Sequence, residues 1–138
     1  MSSVSDIMST DVQVVGPQET LRRAAQLMRE LDVGALPVSD GRRLLGMLTD
    51  RDITVRGVAE GLDASKACVS DVMSADLEYC STDQDVQDLM RVMGERQVRR
   101  LPVLDADKNL VGIVSLGDLA TRQYANIDQT LREISEPA

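Results

Sequence analysis

The segment VGALPVSDGRRLLGMLTDRDI, Val33 to Ile53, is written twice in this chain, so any fold must accommodate two copies of one design. The second copy is Val98 to Leu119, VRRLPVLDADKNLVGIVSLGDL. Each reads Leu-Pro-Val, a turn containing Asp, Gly within an apolar run, and then Ser/Thr-x-x-Asp. That grammar predicts a strand, a tight turn, a second strand and the start of a helix. Leu36-Pro37-Val38 and Leu101-Pro102-Val103 lie 65 positions apart, and Gly46 and Gly112 lie 66 apart. The second turn has therefore gained one residue.

The repeat extends upstream. Val4-Ser-Asp-Ile-Met-Ser9 returns as Val69-Ser-Asp-Val-Met-Ser74. After the first lead-in, Val12, Val14 and Val15 predict a short strand, broken by Gly16-Pro17. Thr20 is suited to cap a helix of about Leu21 to Leu31, with Leu21, Ala24, Ala25, Leu27, Met28 and Leu31 on its apolar face. Ala35 to Val38 and Leu44 to Leu48 predict strands, the second apolar enough to be buried on both faces. Thr49 opens a helix to about Glu60, with Gly61 as its stop. Leu62 to Cys68 is a short link without Pro. In the second half, Leu77 to Cys80 predicts a strand, and Asp85 caps a helix of about Val86 to Arg96. Arg100 to Leu104 and Leu110 to Val114 flank a turn, and Ser115 opens a helix to about Tyr124. Each motif is thus β-α-β-β-α, an α/β (α+β) design, expected over residues 4–62 and 69–124 with a tail at 125–138. A unit so small holds little core alone, so the two are expected to pack sheet to sheet with pseudo-twofold symmetry. Ile127, Leu131 and Ile134 in the tail have helical spacing, which fits a docked helix or a frayed end.

Composition narrows the function. The net charge of −8 argues against a nucleic-acid backbone or an anionic membrane as partner. No apolar run approaches the ~20 residues of a bilayer span, and nothing resembles a signal peptide, so a cytoplasmic location is expected. There is no His, which removes Ser-His and Cys-His dyads, and no glycine-rich loop ends in Lys-Ser/Thr. No cluster has zinc-ligand spacing. Asp50 and Asp52, two apart on a helix, point to different faces and make a poor acid/base pair. Catalysis is not expected. Cys68 and Cys80 read as two thiols or, against the habit of cytosolic chains, a disulfide.

Two features admit a binding role. Thr49-x-x-Asp52 and Ser115-x-x-Asp118 fit capping boxes, with Asp a shorter partner than the usual Glu. The same geometry can seat an anion on free N–H groups at a helix start, with the Asp accepting from a ribose diol. Arg99-Arg100 reads either as two solvated arginines or as a phosphate clamp. The equivalent positions of the first motif, Gly34 and Ala35, carry no charge. Met28, Met90 and Met93 sit at core spacing.

Taken together, Ser5-Asp-Ile-Met8, Val33-Gly-Ala-Leu-Pro-Val38, Gly46-Met-Leu-Thr-Asp-Arg-Asp-Ile53, Ser70-Asp-Val-Met73, Arg99-Arg-Leu-Pro-Val103 and Gly112-Ile-Val-Ser-Leu-Gly-Asp-Leu119 resemble the CBS domain family in its stand-alone tandem form. The likeness covers about Val4 to Arg122 and leans toward the small bacterial hypoxic response protein group. The resemblance implies a flat homodimer of CBS pairs and an adenosine-containing ligand such as AMP, ADP or ATP between motifs. It implies one cleft joining Thr49 and Asp52 to Val98, Arg99, Arg100 and Pro102. A second would join Ser115 and Asp118 to Val33, Gly34, Ala35 and Pro37. The Asp would hold ribose, the hydroxyl would sit near phosphate, and the groups before Pro would sandwich adenine. The second cleft departs from the first in lacking a basic wall. No cofactor is required on this reading and no metal site is expected; an adenine nucleotide would be a regulatory ligand, read by an unknown protein partner. The alternative is a ligand-free dimerisation or protein-interaction scaffold.

Overall fold

The computed structural model describes residues 2–121 and 132–135. The expected helix end at Tyr124, and Ile127 and Leu131 of the tail, lie outside the described residues. The elements in order are α1 (Val4–Ile7), α2 (Leu21–Leu31), β1 (Ala35–Ser39), β2 (Leu44–Thr49), and α3 (Asp50–Asp52), which runs on as a π-helix (Ile53–Val58). A 3-10 turn (Val69–Asp71), β3 (Cys80–Ser81), α4 (Val86–Arg96), β4 (Arg100–Leu104), β5 (Leu110–Ser115) and α5 (Leu116–Thr121) follow. They form two compact units: a middle unit, Gln13–Leu77, and a split unit, Met1–Val12 with Glu78–Ala138.

In the middle unit, Thr20 caps α2 as expected, its Oγ1 accepting from the Arg23 N–H at 3.1 Å. The helix ends where Asp32 turns left-handed, at φ 54°. Its inward stripe is Leu21, Ala24 and Met28, packed with Val15, Leu36, Val38, Leu48, Val69 and Val72. Ala25 is exposed. β1 and β2 form an antiparallel hairpin, with Asp40 Oδ1 accepting the Arg42 and Arg43 N–H groups across its turn at 3.0 and 2.9 Å. Those donors hold the Asp40 carboxyl below the usual range. Three expectations change here. The valines before Gly16 yield a single parallel bridge, Val15 to Val38, because nothing extends the pairing. β2 is not sealed on both faces: Leu44, Gly46 and Leu48 are buried, whereas Leu45 and Met47 are half-buried, the alternation of an ordinary pleat. The helix after Thr49 leaves α geometry at Ile53. Bonds from Ala59 N to Thr54 O and from Leu62 N to Gly57 O, 2.9 and 3.0 Å, span five residues. The wider coil sets Gly57 on α2, where an added Cβ would stand 3.0 Å from Leu21 Cδ1.

The split unit has a three-stranded sheet in the order β3-β4-β5. β4 and β5 form a hairpin like β1 and β2. β3 is parallel to β4, Cys80 beside Val103 and Ser81 beside Leu104, so the strand begins later than Leu77. Asp85 caps α4, accepting from the Gln87 N–H at 3.2 Å. Val86, Leu89, Met90 and Met93 of α4 join Leu101, Val103, Val114, Leu116 and Leu119 in the core.

The two lead-ins are exchanged between motifs. Val4 and Ile7, at 0% and 5% exposure, sit in the core of the split unit with the second motif. Val69 and Val72 sit in the core of the middle unit with the first. The anchoring bonds correspond at an offset of 65: Val4 N to Gln84 O at 2.8 Å matches Val69 N to Glu19 O at 2.8 Å, and Ser5 N to Thr82 O matches Ser70 N to Pro17 O, both 3.0 Å. Ser9 then bridges to Ile113, and Ser74 to Met47. Gly112 and Gly46 lie under these bridges. A Cβ on Gly46 would collide with the Ser74 carbonyl oxygen, and one on Gly112 would stand 2.5 Å from Met8 Sδ.

Both thiols are free, with Cys68 half-buried and Cys80 buried. Cys80 Sγ donates to the Pro102 carbonyl at 3.6 Å, and burial pushes its thiol up to about 12. The thiolate is the reactive form. At pH 8, Ellman's reagent should therefore modify Cys68 in the folded protein and reach Cys80 only on unfolding; rapid labelling of both in native protein would contradict the packing. Among the described residues, no helix is long and apolar enough to cross a membrane.

Candidate functional site

Each hairpin brings the start of its first strand to the start of the following helix. In the middle unit Ala35 pairs with Thr49, and the Asp50 N–H donates to the Gly34 carbonyl at 2.9 Å. Thr49 Oγ1 accepts from the Asp52 N–H at 3.0 Å, and Asp52 Oδ2 accepts from the Thr49 N–H at 2.9 Å. The Arg51 N–H goes to Asp50 Oδ1 at 2.8 Å. The Ile53 N–H goes to the Asp50 carbonyl. The donors at this helix start are therefore spoken for, and the expected seat of free N–H groups is not present: carbonyl, hydroxyl and carboxylate of the chain itself occupy it. The second oxygen of Asp52 takes no part in this cap, and Thr49 and Asp52 are both half-buried. Val33 is half-buried beside this end and packs on the unit's core. Pro37 lies further along β1, buried, with its carbonyl taken by Val15 N at 3.0 Å.

The split unit repeats the junction. Arg100 pairs with Ser115, and the Leu116 N–H donates to the Arg99 carbonyl at 2.9 Å. Asp118 Oδ2 accepts from both Ser115 N and Ser115 Oγ, at 2.9 and 3.1 Å, and Ser115 Oγ accepts from Asp118 N at 3.2 Å. Val98 packs on the core and Pro102 is buried in β4. Arg99 and Arg100 are exposed and make no ion pair with any described residue. Thus Val33, Gly34, Ala35, Thr49 and Asp52 gather at one hairpin end, and Val98, Arg99, Arg100, Ser115 and Asp118 at the other.

The box has further uses that the sequence reading did not single out. Ser3 N donates to Asp6 Oδ2 at 3.0 Å and Cys68 N donates to Asp71 Oδ2 at 2.8 Å, capping the two lead-ins in the same way. The signal was present, since Ser3-x-x-Asp6 and Cys68-x-x-Asp71 keep the same spacing. The box is therefore a capping device first, and only its position beside a strand start separates Thr49/Asp52 and Ser115/Asp118 from the others.

The described residues thus hold two α+β motifs, each with a hairpin, an exchanged lead-in and a hydroxyl–carboxylate box. The family model for the CBS domain matches residues 4–57 and 69–125, and the chain belongs to that family. It is 48% identical to the CBS domain-containing protein YhcV of Bacillus subtilis, over 91% of this chain and 89% of the relative. The crystal structure of Hypoxic Response Protein I with two coordinated zinc ions is 46% identical, covering 88% of this chain and 99% of that one, at a TM-score of 0.78. The crystal structure of CBSX2 in complex with AMP is 27% identical, covering 89% and 96%, at a TM-score of 0.76. CBS domains are generally regulatory, non-catalytic modules, and often bind adenosine-containing ligands.

Proposed function

We propose that this chain is a non-catalytic regulatory module that binds AMP, ADP, ATP or a related adenosine compound in the cytoplasm and signals to a separate protein. The observation that carries the reading is the pair of half-committed carboxylates. Asp52 and Asp118 each spend one oxygen on the helix cap and keep the other beside a strand start. A carboxylate oxygen with spare lone pairs is a natural acceptor for a ribose diol. The AMP held by CBSX2, a structural neighbour, supports the ligand class. Arg99 and Arg100, exposed in an acidic chain, would attract its phosphates. Homodimerisation is part of the proposal, supported by the exposed Val55 and Val58 of the π-helix, at 45% and 66%.

Zinc is coordinated in Hypoxic Response Protein I; this chain has no His, and among the described residues no group of three or more candidate ligands lies together.

A thermal-shift panel of adenosine, AMP, ADP and ATP tests the reading. A ligand at 100 times its Kd adds about 2.7 kcal/mol to stability. Asp52→Ala also removes a cap worth roughly 1 kcal/mol, so the nucleotide-induced shift is the readout, not the Tm itself. The shift should largely vanish in Asp52→Ala. Arg99→Ala with Arg100→Ala should weaken phosphorylated ligands more than adenosine; equal losses would refute the clamp. If millimolar adenine compounds produce no shift, the scaffold reading stands instead. The repeated use of the same box as a cap at Ser3/Asp6 and Cys68/Asp71 is the observation that favours it.

A further inference from the structure

The two long helices align at an offset of 65, and they differ most on one face. Ala25 and Arg29 of α2 are exposed. Their counterparts on α4, Met90 and Gly94, are buried, Met90 to 1%. The cover over that face includes the helical turn at residues 132–135. A Cβ on Gly94 would meet the Glu133 carboxylate, so the Glu133 side chain lies directly over the glycine. Gln97, just past the end of α4, donates from Nε2 to the Glu133 carbonyl at 2.9 Å. Ile134 packs against the split-unit core. An arginine at position 94, as at Arg29, would close this surface.

We propose that the α4 face of Met90, Gly94 and Gln97 is a docking groove for a short amphipathic helix, and that its occupant is the chain's own C-terminal segment, bound reversibly. The groove offers what such recognition needs: an apolar floor, a residue without a side chain under the incoming Glu133 side chain, and a polar group that donates to a carbonyl. The occupant is argued from the turn seated there and from the sequence, where Ile127, Leu131 and Ile134 recur at the spacing of one helical face. Reversibility follows from burial. Residues 132–135 are exposed or half-buried, whereas α4 sets Val86, Leu89, Met90, Met93 and Gly94 in the interior, so this segment should open locally before the unit unfolds.

Hydrogen exchange on the full-length protein, followed by mass spectrometry, tests this. Gly94→Arg and Ile134→Glu should each raise exchange at residues 132–135 by about tenfold or more, with β4 and β5 protected as before. A fluorescent peptide of residues 122–138 should bind full-length Ile134→Glu, whose own tail is released. It should bind wild type far more weakly, because a tethered tail competes at about millimolar effective concentration. It should not bind Gly94→Arg. Unchanged exchange at 132–135 in both variants overturns the proposal, as does failure of the peptide to bind Ile134→Glu. If Gly94→Arg loses its helical signal altogether, Gln97→Ala with Ile134→Glu gives the same reading without touching the packed helix.

Discussion

Removing residues 1–12 is expected to unfold the split unit and spare the middle one. The deletion takes away Val4 and Ile7, nearly full members of the split-unit core. Burying each side chain is worth roughly 1.5–3 kcal/mol, and the emptied space costs more because the surroundings relax only in part. The bonds to Gln84, Thr82 and Ile113 go with them. Domains of this size hold only about 5–15 kcal/mol in all, so the loss is a large fraction of the total. Exchange protection should collapse across β4, β5 and α4 while α2 and β2 keep theirs. A truncated protein that melts within ~3 °C of the parent would contradict the assignment of Val4 and Ile7 to that core.

Gly46→Ala should cost about 3 kcal/mol, among the larger effects of any single small substitution. The new methyl meets the Ser74 carbonyl, and backbone held by two hydrogen bonds to Met47 has little room to retreat. Gly112→Ala should cost about half as much or less, since its nearest obstacle is Met8 Sδ, the end of a flexible side chain. Each substitution also regains up to about 1 kcal/mol by replacing glycine in a strand, which offsets the milder clash more. Urea denaturation of both variants measures the order. Equal costs, or a costlier Gly112→Ala, would mean that the lead-in bridges are looser than their geometry.

Much of this fold could be read from the sequence, where local chemistry decides structure. α2 and α4 begin and end where Thr20, Asp85 and their apolar periods predicted, because caps and periodicity are properties of neighbours in the chain. The hairpins were legible for the same reason. The misread parts depend on partners distant in sequence. Val12 to Val15 have strand composition but little to pair with, and β3 starts at Cys80 because Val103 and Leu104 receive it there. The π-helix sets Gly57 against Leu21, a residue of α2. At the candidate site, the boxes at Thr49 and Ser115 were visible as a pattern. That their N–H donors are already taken was not, because the carbonyls of Gly34 and Arg99 come from just before β1 and β4, distant in sequence.

The exchange of lead-ins also sets the order in which a ribosome can deliver this molecule. Gln13–Leu77 is one uninterrupted run and can close once it has emerged. Residues 1–12 cannot: their partners include residues from Cys80 to Leu119. At ~5–20 residues per second, they wait on the order of ten seconds with Val4 and Ile7 uncovered. A lead-in made before the middle unit finds its place only after it.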